Sequence, residues 1–324
     1  MKSLVVSELA PDFAGTGLKD LPLPEPKAGQ VRVAVKAASL NFPDLLMTEG
    51  KYQLKPDLPF TLGMELAGIV EAVGEGVTGF KLGDEVAGGS RIGAFAEYIA
   101  LPAAGLRHKP AALSFAEASA FGAAYLTAYV SLVVRGNLQP GETLLVHGAS
   151  GGVGMAAVEV GKLLGATVIA TSASDEKLKV VKARGADHVI NVTRGFREEV
   201  KALTGGRGAD VIYDPVGGDV FDESVRCIAF DGRLLIIGFT SGRIPSVSVN
   251  MPLIKGFSVV GVRAGEYGRQ FPEKGRQNQE AIWKWAEEGK VKPCIHAEVP
   301  LADWRRAFDM MRGREVVGKV VLVP

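Results

Sequence analysis

The chain has few of the residues that build disulfide frameworks or metal centres. Its 324 residues include two cysteines, Cys227 and Cys294, and neither belongs to a Cys-x-x-Cys pair. The four histidines, at positions 108, 147, 188 and 296, show no mutual motif spacing, so we expect each to be a core or surface residue. A disulfide-stapled secreted domain is excluded, and this cysteine usage fits a reducing cytoplasm.

The chain also lacks an excess of charge and any long apolar run. Its 37 basic and 36 acidic residues leave a net charge of +1, which provides no field to attract nucleic acid or an anionic membrane. The most apolar stretch, residues 121–134, contains Thr127 and Ser131 and is too short to span a bilayer. Glu8 interrupts the start before a signal-length apolar core develops. We therefore expect a cytoplasmic protein with no nucleic-acid or membrane partner.

Glycine, in contrast, is abundant, and several of the 41 glycines punctuate one stretch. Residues 143–146 read as a buried strand, glycines stand at 148, 151 and 154, and an apolar-periodic helix follows over 155–164. A second strand at 167–171 comes at the distance that a βαβ unit requires. Pyrophosphate binds bare N–H groups at a helix N-terminus, and glycine lets the backbone approach it. This pattern predicts a dinucleotide loop formed by Ser150, Gly151, Gly152, Val153 and Gly154.

The rest of the chain divides into two patterns. Up to about residue 120, short strands such as 31–36, 66–73 and 93–101 alternate with turns, which predicts a small irregular β-barrel. Strands at 143–147, 167–171, 188–191, 209–213, 232–237 and 257–262 then alternate with helices, which predicts a doubly wound parallel sheet. The last strand, 319–323, is expected to return to the first domain, because a short strand must pair. The predicted domains are 1–124 with 264–324, and 125–263.

Several motifs together resemble the zinc-independent quinone oxidoreductase, or zeta-crystallin-like, branch of the medium-chain dehydrogenase/reductase superfamily. They lie at residues 41–44, 62–70 with 83–86, 147–154, 214–218 and 318–321. The resemblance covers essentially the whole chain. It implies an α/β protein with a GroES-like barrel on the substrate side, joined to a Rossmann domain, with the nicotinamide between them.

The same comparison bears on metal. Zinc-dependent members hold their catalytic ion with a cysteine, a histidine and a later cysteine. The first two positions correspond here to Asn41 and Met64, and no cysteine lies near the third. The cysteine-rich structural lobe is also missing. An amide and a thioether cannot replace thiolate and imidazole around Zn²⁺, so no zinc is expected.

The second strand of the predicted Rossmann domain bears on the choice of cofactor. NAD-specific folds place an acid at its end to bind the ribose 2′-hydroxyl. Here Ser172 ends the strand and Lys177 follows, a hydroxyl and a cation that suit the 2′-phosphate of NADPH. Asp175 is the rival ribose acid, although it falls in the first turn of the next helix. Lys177 could instead be a solvated helix charge.

The resemblance also implies further cofactor and catalytic residues. Asn41, Phe42, Thr127, Gly238, Phe239 and Lys319 match positions that border the cofactor. Asn41 and Tyr52 match positions beside the acceptor, where either could donate a hydrogen bond to a carbonyl as negative charge develops. The alternatives are structural: a strand end tied by Asn41, a packed Tyr52, a turn at Gly238, and an exposed strand charge at Lys319.

The predicted function is therefore zinc-free, NADPH-dependent hydride transfer to quinones or related α,β-unsaturated carbonyls. Leu46 replaces a tyrosine found in several quinone reductases, which keeps an enoyl-CoA or acryloyl-CoA reductase open. Arg263 and Tyr267 could face the substrate cleft or a subunit interface. A non-catalytic NADPH-binding protein, RNA-binding or structural, is the third alternative. The last Rossmann strand, as an exposed edge, predicts a homodimer.

Overall fold

A computed structural model describes all 324 residues, which form two compact units. Unit 1 comprises Met1–Gly122 and Lys292–Pro324, and unit 2 comprises Ala123–Val291. The strands are β1 (Lys2–Val6), β2 (Thr16–Asp20), β3 (Gln30–Ser39), β4 (Phe60–Thr61), β5 (Glu65–Val73), β6 (Glu85–Gly89), β7 (Tyr98–Pro102), β8 (Leu106–His108), β9 (Thr143–Val146), β10 (Thr167–Ser172), β11 (His188–Asn191), β12 (Ala209–Asp214), β13 (Ile228–Ile236), β14 (Ser258–Gly261), β15 (Ile295–Pro300) and β16 (Lys319–Val323).

The helices are mostly short. They are α1 (Phe42–Thr48), α2 (Phe115–Ser119), α3 (Gly122–Tyr129), α4 (Gly152–Leu163), α5 (Asp175–Ala183), α6 (Arg197–Leu203), α7 (Gly218–Ser224), α8 (Asn250–Lys255), α9 (Ala264–Gln270), α10 (Pro272–Glu287) and α11 (Trp304–Arg312). A π-helical turn, Val130–Arg135, follows α3. None of these helices combines the length and apolar character needed to cross a membrane.

Unit 1 is built around β3. This strand pairs antiparallel with β5, β7 and β16 in a seven-stranded sheet, beside a three-stranded sheet of β2, β1 and β4. Val31, Val33 and Val35 alternate with less buried residues, as a strand with one face on the core requires. The last strand returns to this unit as predicted, with Val321 opposite Ser39.

One predicted strand of unit 1 is shorter than expected. The extended run predicted over 93–101 becomes a strand only at Tyr98–Pro102. Gly93 adopts a φ of 107°, a conformation incompatible with a continuous strand. Residues 94–96 are instead buried in the core, where the Phe95 N–H donates to the carbonyl of Leu62.

Unit 2 is the predicted doubly wound sheet. Its six parallel strands run in the order β11-β10-β9-β12-β13-β14. Successive strands are added on one side of β9 up to β11 and on its other side from β12 onward, and the carboxyl ends at such a switch point form the usual ligand crevice of this architecture. The predicted helix after β10 is also present, with Ser174 at its N-cap and Leu178 and Val181 buried.

The boundary between the units differs from the predicted domain boundary. Residues 264–291, which the sequence assigned to the barrel domain, belong to unit 2, and the chain re-enters unit 1 at Lys292. The reason is apolar packing of α10, which buries Ile282, Trp283 and Ala286. Its Trp285 ring lies 5.4 Å from the ring of Tyr129, also in unit 2. These contacts join distant parts of the chain and leave no local signal in the sequence.

Candidate functional site

The glycine-rich loop of unit 2 connects β9 to α4 at the switch point of the sheet. Gly148 begins the turn with a φ of 55°, and Gly151 is the N-cap of α4. Gly154 lies in the first helical turn, where a methyl group would fall 2.3 Å from the backbone oxygen of Gly148. Glycine at 154 is therefore required for the helix to pack closely against its own loop.

The position of Gly151 is different. A methyl group there would contact only the Gly148 oxygen, at an ordinary 3.5 Å, so the space beside the loop is open. The first N–H groups of α4 have no partners within the helix, and the helix dipole adds positive potential at this end. An open cradle beside unsatisfied N–H groups fits the pyrophosphate of a dinucleotide.

The carboxyl end of β10 supports the same loop. The hydroxyls of Ser150 and Ser172 lie 3.2 Å apart, and both serines are buried. Lys177 is partly buried in the first turn of α5, where its N–H donates to the Ser174 hydroxyl. The carboxylate of Asp175, the rival ribose ligand, accepts a hydrogen bond from the Asn191 amide at 2.8 Å. Ser172 thus lies beside the loop, Lys177 follows in the first turn of α5, and the Asp175 carboxylate is bonded to Asn191.

The remaining cofactor-binding residues predicted in unit 2 lie on two different segments. Gly238 and Phe239 follow β13, and the Phe239 ring lies directly against Gly217, which follows β12. Thr127 is half-buried on α3, and its carbonyl accepts from the Ser131 hydroxyl at 2.6 Å. The structure therefore gathers 150–154, 172, 238 and 239 at the carboxyl edge of the sheet.

Unit 1 contains a hydrogen-bonded group that we call the Asn41 cluster: Asn41, Ser39, Glu65 and Lys319. The Lys319 ammonium donates to Asn41 Oδ1 at 2.6 Å. The Asn41 amide nitrogen donates to Glu65 Oε1 at 2.7 Å, and the Ser39 hydroxyl donates to the same oxygen at 3.0 Å. Asn41 is partly exposed, whereas the other three side chains are buried. Lys319 is thus not the exposed strand charge of the alternative interpretation.

The two aromatic residues predicted beside Asn41 have different environments. Tyr52 is partly buried and packs against the hydrophobic core of unit 1. Phe42, the first residue of α1, has 37% of its surface exposed. The structure therefore brings Asn41 and Lys319 together and leaves Tyr52 against the core.

Asp44 lies one helical turn after Asn41 and is fully buried. Its Oδ2 accepts the Asn41 backbone N–H at 2.8 Å, and its Oδ1 has no hydrogen-bond partner. Burial, helped by the nearby Glu65 carboxylate, raises the pKa of Asp44 from an ordinary 3.8 to about 7, while the Asn41 N–H and Lys319 oppose the shift. Asp44 is therefore largely protonated below pH 7, which suits its buried position.

Replacing Asp44 with asparagine should stabilise the protein in alkali. The Asp44 carboxyl has a higher pKa in the folded protein, about 7, than the ordinary 3.8 of the unfolded chain. Its contribution to stability is therefore fully present below pH 3.8 and is lost as the pH rises to 7. The lost free energy of unfolding above pH 7 is about 4 kcal/mol. Asp44→Asn should recover about 2–4 kcal/mol of it at pH 8 and much less at pH 4, measured by urea unfolding.

Asp84 provides the control of opposite sign. Its carboxylate accepts a hydrogen bond from Lys81 at 2.6 Å, which lowers the pKa of Asp84. Asp84→Asn should therefore lower stability at pH 8. Equal behaviour of the two variants at pH 4 and pH 8 would contradict the assignment for Asp44.

Sequence reasoning missed Glu65, Ser39 and Asp44 as site residues. Glu65 was part of a family motif with no role given to it. One signal was available, because Glu65 is the acid at the start of the apolar run 66–70. A carboxylate in such a strand must be paired when buried, and its partner Lys319 is 254 residues away.

The two units match known families. The model described as "Zinc-binding dehydrogenase" matches residues 152–278, and "Alcohol dehydrogenase GroES-like domain" matches residues 27–111. A Nematostella vectensis protein named quinone oxidoreductase-like protein 2 homolog is 42% identical over 297 residues, which cover 90% of this chain and 81% of that protein. The chain belongs to the quinone oxidoreductase family.

Two solved structures extend this comparison. Escherichia coli quinone oxidoreductase complexed with NADPH has a TM-score of 0.90 and 30% identity, with 100% of both chains covered. A structure described as an NAD-dependent alcohol dehydrogenase has a TM-score of 0.90 and 35% identity, again with 100% of both chains covered. The predicted superfamily, its GroES-like and Rossmann folds and its class of enzyme, oxidoreductase, are confirmed.

This quinone oxidoreductase family member has no group of three or more His, Cys, Asp or Glu side chains placed to hold a metal ion. The histidine within its glycine-rich motif, His147, is fully buried between the hydroxyls of Thr171 and Ser224, at 2.9 and 2.8 Å. Burial lowers the pKa of His147 to about 3, so the ring stays neutral. His147 is a core residue that ties β9 to β10 and α7.

Proposed function

We propose that this chain is a zinc-free, cytoplasmic oxidoreductase that transfers hydride from NADPH to a quinone or a related α,β-unsaturated carbonyl. The observation that carries the proposal is the open glycine cradle at the switch point of a parallel sheet, with the Ser172 hydroxyl beside it. NADPH in the E. coli relative and the quinone oxidoreductase name of the Nematostella relative support it.

Each predicted residue would have a distinct role in this reaction. NADPH would supply the hydride. The N–H groups over 152–154 would bind its pyrophosphate, since the Gly151 N–H donates to the Gly148 carbonyl, with Thr127, Gly238 and Phe239 toward the nicotinamide end. Ser172 and Lys177 would take the 2′-phosphate, because a hydroxyl and an ammonium both donate to a dianion. In unit 1, Asn41, Phe42, Tyr52 and Lys319 would contribute to positioning cofactor and acceptor. A quinone accepts one hydride and one proton to give the hydroquinone.

Oxidation of NADPH and NADH by metal-stripped protein tests the proposal. The acceptor panel is 1,4-benzoquinone, 9,10-phenanthrenequinone, an alkenal and crotonyl-CoA. We expect turnover of the quinones or the alkenal with NADPH, and slower turnover with NADH. Preference for crotonyl-CoA would favour the enoyl thioester reductase, for which the apolar Leu46 argues. Tight NADPH binding without turnover of any acceptor would favour a non-catalytic protein.

We also propose that the chain forms a homodimer through the β14 edge of unit 2. This edge strand is largely exposed, and an unpaired strand edge can pair with a second copy across a two-fold axis. Large apolar side chains of the same unit are also exposed, namely Phe230, Ile244, Val249, Leu253 and Ile254. Sedimentation equilibrium should give twice the 34.1 kDa mass of one chain, and a monomer would contradict the proposal.

A further inference from the structure

The strand pairing of β9 ends just before the glycine-rich loop. Val146 is the last residue of β9, and it lies opposite Ala170 of β10 on one side and Tyr213 of β12 on the other. These two neighbours belong to the two halves of the sheet, which part at the switch point. Beyond Val146, contacts across the switch point therefore come from the loop and from side chains.

The ring of His147, the next residue, spans the two halves. Its Nδ1 lies 2.9 Å from the hydroxyl of Thr171 on β10. Its Nε2 lies 2.8 Å from the hydroxyl of Ser224 on α7, the helix that follows β12. The ring is 0% exposed, and the ring of Phe196 lies 4.7 Å from it. One buried side chain thus joins β10, on one side of the switch point, to α7 on the other.

Counting hydrogens gives the direction of both bonds. The Ser224 hydroxyl donates its one hydrogen to the Val220 carbonyl at 2.7 Å, so its oxygen accepts from His147 Nε2–H. A neutral imidazole carries one N–H, and burial keeps this ring neutral by lowering its pKa. Nδ1 therefore accepts from the Thr171 hydroxyl. His147 is fixed as the Nε2–H tautomer, with both nitrogens engaged.

Each partner of the ring supports a different side of the candidate dinucleotide site. Thr171 is followed by Ser172, whose hydroxyl lies 3.2 Å from that of Ser150 in the loop. Gly217 is the N-cap of α7, and a methyl group added there would fall 2.9 Å from the ring of Phe239. The position of α7 relative to the loop therefore sets the distance between the two sides of the site.

We propose that His147 is a positioning residue that fixes the distance between the glycine-rich loop and the side of the site formed by Gly238 and Phe239. The inference rests on the proposed function. NADPH spans both sides and depends on this distance. Adenosine 2′,5′-bisphosphate, the adenosine half of NADPH, needs only the loop side. Strand pairing and the Ala149 N–H, which donates to the Thr171 carbonyl, hold that side without the ring.

Two apolar replacements separate positioning from folding. His147→Phe removes both bonds and leaves the Thr171 hydroxyl without its acceptor, so the melting temperature should fall, because a buried unpaired donor is costly. His147→Phe/Thr171→Val/Ser224→Ala makes all three positions apolar. This triple variant should recover most of the melting temperature, because replacing both partners of a buried hydrogen bond by apolar groups of similar shape is nearly neutral.

We expect both variants to raise the Kd for NADPH ~10-fold, and that for adenosine 2′,5′-bisphosphate less than ~3-fold, since a hydrogen bond is worth roughly tenfold in affinity. Nucleotide fluorescence measures the first constant and titration calorimetry the second. The control is Thr204→Val, at the opposite edge of the same sheet. It removes a hydroxyl that donates to the Val200 carbonyl and accepts the Gly208 N–H. It should lower the melting temperature and change neither constant.

Three results would count against these assignments. A triple variant with both the melting temperature and the NADPH Kd of wild type would reduce His147 to a structural role. Equal loss of affinity for NADPH and for adenosine 2′,5′-bisphosphate would place the effect on the loop and not on the distance between the two sides. A wild-type protein that binds neither NADPH nor NADH would overturn the proposed function itself, a result that requires no variant and is distinct from the other two.

Discussion

Replacing Gly151 with leucine should raise the Kd for NADPH at least ~100-fold while leaving the fold intact. The backbone of Gly151 is extended, with φ −82° and ψ 167°, and any residue adopts this conformation. A side chain there would project into the open cradle and exclude the pyrophosphate from the helix N-terminus. Loss of two charge-assisted hydrogen bonds alone costs about 3 kcal/mol, or roughly 100-fold in affinity.

Gly154 provides the matched control three residues further on. Alanine at 154 would place a methyl group 2.3 Å from the Gly148 oxygen and 2.8 Å from the Ala149 Cα, so the loop or the helix must shift. Gly154→Ala should therefore lower the melting temperature, whereas Gly151→Leu should not. Retained NADPH affinity in folded Gly151→Leu would move the phosphate site elsewhere.

Replacing Lys177 with alanine should weaken NADPH binding by ~10–100-fold and NADH binding by less than ~3-fold. The two nucleotides differ only in the 2′-phosphate, and one charge-assisted hydrogen bond contributes about 1.5–3 kcal/mol. Both dissociation constants can be measured by nucleotide fluorescence on the same preparation.

Lys179 is the control for Lys177, two residues away on α5. Its ammonium pairs with Glu176 at 2.7 Å on the exposed face of the helix. Lys179→Ala removes the same charge from the same helix and should change neither constant. Equal loss of NADPH and NADH affinity in Lys177→Ala would show that this lysine does not contact the 2′-phosphate.

Local signals were sufficient to predict most of the architecture. The glycine spacing over 148–154, the alternation of β3 and the Ser174 N-cap each depend on residues within a few positions of one another. The strands β9 to β14 were all predicted, with ends displaced by up to four residues. Strand and helix periodicity is a local property, and it specified both domain types.

The boundary between the two domains and the ends of β7 were predicted less well, because long-range packing sets them. The chain between 264 and 291 forms two helices with unremarkable sequences, and only their contacts with unit 2 decide where they belong. The short strand β7 likewise depends on how Gly93 and Phe95 fit the core of unit 1.

The sequence by itself determined the order of strands and helices, the glycine-rich loop and the family, since these follow from periodicity and from glycines at fixed spacing. Only the tertiary structure decided which residues surround Asn41. Glu65 and Lys319 are far apart in the chain, and each would be an ordinary charge if exposed. Burial makes them require one another, and both of them bond to the Asn41 amide.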